Sequence, residues 1–133
     1  MKQEELKQYL AELKELTNIE SPTSSVEGVN SVAKWFINKP DKLGLKHQKV
    51  VLGTDKVADC LLISNNPNAA KFDVLFVAHM DTVFPVGSVQ NTPFTQNEGR
   101  VNALGVIDDK GGALLSLYVI KELDLSKINV ALF

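Results

Sequence analysis

Leu6, Leu10, Leu13 and Leu16 recur at the three- and four-residue steps of one helix face, with Lys7, Glu12, Lys14 and Glu15 between them. The pattern predicts an amphipathic helix laid on the outside of a core. Asn18 to Thr23 breaks it, and Pro22 stops any continuation. Ser24-Ser25-Val26-Glu27 reads as a capping box for a second helix, in which Val26, Val29, Ala33, Phe36 and Ile37 supply the apolar stripe. Trp35 beside Phe36 reads as helix packing, and Pro40 with Gly44 ends the element.

The pattern then changes period. Lys46 to Leu52, Asp59 to Ser64 and Phe72 to Ala78 are short runs rich in Val, Ile, Leu and Phe, punctuated by Gly53-Thr54-Asp55 and Asn65-Asn66-Pro67-Asn68. The first two read as hairpin partners. The third holds Val74-Leu75-Phe76-Val77, continuously apolar, as a central strand covered on both faces would be. Met80 to Arg100 is a long polar connection, with Asn97-Glu98-Gly99 turning a small hairpin between Phe94-Thr95 and Val101-Asn102. Lys110 to Leu123 is a strongly apolar helix and Ile128 to Phe133 a last strand. Val130 and Leu132 are expected to pair against the central sheet with no further neighbour of their own, an exposed edge open to a second copy of the chain. Helices alternating with apolar strands predict a layered α/β domain, helix–sheet–helix, with an incomplete sheet.

Composition narrows the partners. The 133 residues suffice for one modest domain, with a hydrophobic share of 44% and a charged share of 23%. Net charge is −2 with acids and bases scattered, which favours neither nucleic acid nor an anionic membrane. Lys34, Lys39, Lys42, Lys46 and Lys49 read as a solvated face, and His47 as a surface strand residue. Cys60, the single cysteine, cannot form an internal disulfide, and its neighbours Leu61, Leu62 and Ile63 predict a buried thiol. Met1-Lys2-Gln3-Glu4-Glu5-Leu6 is unlike a secretory signal, and no apolar run approaches the ~20 residues of a membrane span. The expectation is a cytoplasmic protein.

Two clusters carry the chemistry. His79 follows the third apolar run, where open α/β sheets place ligand sites, and Asp81 stands two residues on. A metal-bound imidazole needs its other ring nitrogen held, and Asp81 is placed to hold it. Alone, His-x-Asp is as readily a structural pair. The second cluster, Gly105-Val106-Ile107-Asp108-Asp109-Lys110-Gly111-Gly112, sets two adjacent carboxylates at the start of the apolar helix. One acid there would serve as a cap favoured by the helix dipole, but two exceed that need. Gly111 and Gly112 weaken a helix unless another group must approach closely. The glycines do not form a phosphate loop, since Gly105 to Lys110 lacks a second glycine before the lysine and no Ser or Thr follows it.

Together the clusters resemble the metal-binding motifs of the dinuclear zinc amidohydrolases and peptidases that include glutamate carboxypeptidase, aminoacylase and succinyl-diaminopimelate desuccinylase. The resemblance rests on His79-Met80-Asp81-Thr82-Val83, on Pro93-Phe94 with Gly99 after it, and on Gly105-x-x-Asp108-Asp109-Lys110-Gly111-Gly112. The doubled aspartate before Lys-Gly-Gly looks most like glutamate carboxypeptidase. It implies that His79 binds one zinc, that Asp108 bridges two, that Asp81 orients His79, and that the Asp108–Asp109 peptide is cis. Lys110 and Gly111 match motif positions with no chemical role to assign, and Leu104 stands where relatives commonly have glycine. The implied reaction is hydrolysis of an amide beside a free carboxylate, in a peptide or an N-acyl amino acid, with two zinc ions activating water and a glutamate as general base.

In the family that glutamate, its zinc-binding neighbour, a later acidic ligand and a final histidine follow the strand matching Ile128 to Phe133. Residues 1–133 are therefore expected to be the N-terminal portion of the catalytic domain, without the smaller lid and dimerisation domain, without the general base, and inactive alone. Zinc should bind weakly or not at all. The alternative readings are a natural short protein acting as a binding or regulatory partner, and a non-enzymatic α/β domain whose acidic loop caps a helix.

Overall fold

The computed structural model describes residues 2–39, 44–52, 54 and 56–133. Helix α1, Gln3–Thr17, buries Leu13, Leu16 and Thr17, and the Glu5 carboxylate accepts the Lys2 backbone N–H at 2.8 Å. Helix α2, Val26–Ile37, starts one residue later than expected. Ser25 is its N-cap, the hydroxyl accepting the Gly28 N–H at 3.0 Å. With Ser25 as cap the reciprocal position falls on Gly28 rather than Glu27, so the cap is one-sided and not a capping box. Gly28 is required there, because a Cβ would lie 2.4 Å from the Glu20 carbonyl oxygen. Asn38 closes α2 before Pro40, which lies with Lys42 outside the described residues. Trp35 and Phe36 meet edge to face at 5.2 Å, as helix packing requires. Lys39 is not simply solvated: its ammonium binds Glu12 at 3.2 Å and sits 4.5 Å above the Trp35 ring.

Strands β1, Lys46–Val50, and β2, Cys60–Ser64, form the expected antiparallel hairpin, Lys46 opposite Ser64 and Val50 opposite Cys60. His47 is on the exposed strand, as expected, whereas Cys60 is only half-buried, because β2 turns Leu61 and Ile63 inward instead. Strand β3, Val74–Phe76, is the main departure. The sheet order is β1-β2-β6-β3, so β3 is an edge strand, and Leu75 and Val77 are 52% and 70% exposed. The interior position belongs to β6, Val130–Leu132, which runs parallel to β3 and antiparallel to β2 and is buried throughout. The exposed edge expected at Val130 and Leu132 thus lies at Val74 to Phe76. A continuous apolar run has the same sequence appearance in either place.

Beyond β3 the chain passes through a short helix α3, Ser88–Asn91, and then the expected small hairpin of β4, Thr95–Asn97, and β5, Arg100–Asn102. Glu98 and Gly99 make its two-residue turn with φ of +49° and +76°, the left-handed pair such a hairpin needs. Helix α4, Lys110–Lys121, then packs on α1 and on β6. One core cluster joins Leu13 and Leu16 of α1, Val32 and Phe36 of α2, Leu61 and Ile63 of β2, Leu114 and Leu117 of α4, and Val130 and Leu132 of β6. The α/β class with an incomplete sheet is the observed one. Among the described residues no helix is long and apolar enough to cross a membrane.

Candidate metal centre

His79 stands three residues beyond β3, on a segment tied to the residue that follows β6 by the Ala78 N–H donating to the Phe133 carbonyl at 2.9 Å. Its ring meets an acceptor at each nitrogen. Nδ1 lies 3.0 Å from the Asp81 carbonyl oxygen and 3.2 Å from Asp81 Oδ1, and Nε2 lies 2.8 Å from Asp108 Oδ1. Burial pulls the imidazole pKa down, but the Asp108 hydrogen bond, then the Asp81 carbonyl and the charges of both carboxylates, outweigh it and hold the pKa above its ordinary value. The structure therefore brings His79, Asp81 and Asp108 together across 29 residues. Asp108 keeps most of its carboxylate open, at 85% exposed. His79 and Asp81 line two clefts. One of about 230 Å³ also touches Val83, Phe84, Gly105 and Asp108, and an apolar one of about 270 Å³ reaches Phe36, Leu61 and Leu132.

The peptide between Asp108 and Asp109 is cis, as the resemblance implied. Asp109 occupies the N-cap position of α4, yet its side chain makes no capping bond. The carboxylate lies against Gly112 instead, where a Cβ would fall 2.2 Å from Oδ1. Gly111 is tighter still, for its Cβ would meet the Val106 carbonyl oxygen at 2.1 Å. The glycines are thus there for close approach, of backbone at one position and carboxylate at the other.

Two features escaped sequence reasoning. Lys110, left without a role, is 1% exposed, and its ammonium donates to the Ile19 carbonyl while Glu20 supplies a nearby negative charge. Burial pulls its pKa down to about 8 against that charge. The second is the segment that receives it. Ile19 to Thr23 reads in sequence as a helix breaker, but the Ser21 hydroxyl donates to the Met80 carbonyl at 2.9 Å, and the Thr82 N–H donates to the Ser21 carbonyl at 2.7 Å. The Thr23 N–H returns to the Thr82 carbonyl at 3.1 Å, and Pro22 bridges Thr82 in parallel. Glu20 accepts the N–H groups of Gly87 and Val89 at 2.8 and 2.9 Å, bonds that hold its carboxyl below the usual range. A lysine at the head of an otherwise apolar helix was the one visible signal.

Residues 75–132 match the sequence model of peptidase family M20/M25/M40. Carboxypeptidase G2 of Pseudomonas sp. (strain RS-16) is 28% identical over 109 residues, which are 82% of this chain and 26% of that protein. The chain is related to the M20/M25/M40 peptidases. An M20 family metallo-carboxypeptidase from Sulfolobus solfataricus superposes with a TM-score of 0.68 at 27% identity, over 99% of this chain and 30% of that one. Human carnosine dipeptidase 1 gives 0.74 at 20% identity, over 95% of this chain and 31% of that one, a likeness of fold. The chain spans between a quarter and a third of the length of each of these three proteins.

Whether a metal suits these residues rests on their donors. His79 Nε2 and Asp108 Oδ1 converge beside an open cleft, an imidazole and a carboxylate of the kind zinc takes. Among the described residues, no group of three or more His, Cys, Asp or Glu side chains is placed to hold a metal ion. The donors fit part of a metal site.

Proposed function

We propose that this chain contributes the His79 and Asp108 ligands to the zinc site of a peptidase or amidohydrolase that cleaves an amide beside a free carboxylate. The observation that carries the reading is the convergence of His79 Nε2 and Asp108 Oδ1 to 2.8 Å, inside the segment that matches the peptidase family. His79 presents Nε2 toward the cleft while Asp81 accepts at Nδ1, fixing the ring's orientation and tautomer. Asp108, largely open to solvent, has a second oxygen free to serve another ion. Zinc, when bound, supplies a Lewis acid for the amide carbonyl and acidifies water. The peptidase relatives support hydrolysis, and the Sulfolobus metallo-carboxypeptidase supports metal dependence and a peptide substrate.

Residues 1–133 are read as the N-terminal portion of the catalytic domain, with the smaller domain lying outside them. A catalytic zinc takes three protein ligands, and two donors leave affinity low. Of the carboxylates in the two motifs, Asp81 already serves His79, Asp108 faces the metal position and Asp109 lies against Gly112, so none of the three is placed to carry a water proton to a leaving amine. The 133 residues alone should therefore turn over no substrate. A polypeptide extended beyond Phe133 with a glutamate pair, a further acid and a histidine should hydrolyse N-acyl amino acids or dipeptides. His79→Ala or Asp108→Ala should then abolish turnover while leaving the circular dichroism unchanged. Full activity in both variants would contradict the assignment. A second copy pairing along β3 is the assembly favoured by the exposed Leu75 on that strand and Val77 just beyond it.

A further inference from the structure

The geometry points to Thr23 as a positioning residue for the metal centre, holding the Asp81 carboxylate against His79 through a hydrogen bond from the far end of the Ile19–Thr23 segment. The inference rests on the metal-site reading and extends it to a residue outside both motifs. Thr23 Oγ1 lies 2.5 Å from Asp81 Oδ2 and 3.4 Å from the Thr82 carbonyl oxygen. A hydroxyl has one proton to give, and the shorter contact, to an ionised acceptor, takes it. Asp81 is thereby held at both oxygens, Oδ2 by Thr23 and Oδ1 by His79 Nδ1 at 3.2 Å. A carboxylate joined to its backbone by two rotatable bonds would otherwise be free to turn away, since Asp81 is a third exposed.

The donor itself is fixed from behind. The Thr23 N–H donates to the Thr82 carbonyl at 3.1 Å, the Thr82 N–H to the Ser21 carbonyl at 2.7 Å, and the Ser21 hydroxyl to the Met80 carbonyl at 2.9 Å. These bonds run on both sides of Asp81, so the hydroxyl and the carboxylate keep a set distance. The same segment receives the Lys110 ammonium at Ile19, which ties the Asp108 loop to the support that holds Asp81. One five-residue stretch thus sets the two clusters relative to each other. Partners that orient a ligand histidine are worth 10–100-fold in metal affinity, and a residue one bond further out should lie at the low end of that span.

Three forms of the 133-residue chain test this: wild type, Thr23→Val and Thr23→Ser. The valine variant keeps the backbone bond to Thr82, so its melting temperature should stay close to wild type. In the metal-free chain at fixed pH, the ¹⁵N signal of His79 Nδ1 should move in Thr23→Val and return in Thr23→Ser. Zinc alone, followed by calorimetric titration, should bind Thr23→Val about tenfold more weakly than wild type, with Thr23→Ser restoring most of the loss. A Thr23→Val spectrum superimposable on wild type overturns the inference, as does equal zinc affinity in a wild type that binds zinc. If wild type binds no zinc while the Nδ1 signal still moves and is rescued by serine, the positioning role stands and the metal reading falls.

Discussion

The loops that carry His79 and Asp108 are held quite differently from the strand that leads into them. Behind the loops, Lys110, Ser21, Thr23 and Glu20 each reach across 58 or more residues to a partner, and the backbone of Thr82 is bonded on both sides. Strand β3, a few residues upstream, has β6 on one side and no neighbour on the other among the described residues, with Leu75 and Val77 open to solvent. Buried polar groups are expensive unless paired, so the pairings of the buried Lys110 and Ser21 specify one arrangement. An apolar edge specifies no partner. The site's local geometry is therefore built into this chain, whereas the sheet that carries it accepts more than one neighbour.

The sharpest way to break the held side is at its glycines. Gly111→Ala puts a methyl against the Val106 carbonyl, which is backbone and cannot step aside, and should cost about 3 kcal/mol in urea unfolding. Gly112→Ala meets only the far end of the Asp109 side chain, which can rotate. Alanine's helix preference offsets that rotation, and the change should stay within about 1 kcal/mol of wild type. Similar costs at the two positions would show that the loop has no rigid contact with α4.

Lys110→Met comes next. It keeps the buried stem but leaves the Ile19 carbonyl without its donor, for an expected loss of about 2 kcal/mol at neutral pH. The pH dependence sharpens this. The folded-state pKa, about 8, lies below the ordinary lysine value, so between the two the unfolded chain binds more protons than the folded one. Wild type should gain stability as pH rises through that window, and Lys110→Met should lose the gain. Parallel pH profiles would place the ammonium in solvent. The smallest effect on stability belongs to the open side. Leu75→Lys, on an exposed edge position, should leave the unfolding midpoint nearly unchanged while reducing self-association in sedimentation velocity. A monomeric wild type at high concentration would remove β3 as an interface.

The same contrast explains what the sequence made legible. The helix through Leu6 to Leu16, of which Leu13 and Leu16 are buried and Leu6 is exposed, the β1–β2 pairing, the Glu98-Gly99 turn and the apolar face of α4 are local patterns, and the structure forms each. His79, Asp81 and Asp108 were legible as a group through the resemblance of their two motifs to a metal-binding family, and the structure brings their side chains together. The place of β3 was not, since an apolar run looks alike whether a neighbour covers it or one is lacking. Nor was the support from Ile19 to Thr23, whose hydrogen bonds span 58 to 91 residues and leave no periodicity in either partner. Nor was the cap of α2, where Ser25 rather than Ser24 accepts the Gly28 N–H and Gly28 lies close against the Glu20 carbonyl, a contact made in space alone.

The central claim is that His79 and Asp108 are two ligands of one metal site, left short of a full set by the donors these residues supply. Calorimetric titration of zinc into the 133-residue chain, with His79→Ala and Asp108→Ala beside it, tests this most directly. The account predicts weak binding of at most one zinc per chain, lost in either variant, with no hydrolysis of an acyl-glutamate by the zinc-loaded wild type. Two zinc ions bound tightly with turnover, or zinc binding that survives both substitutions, would contradict it.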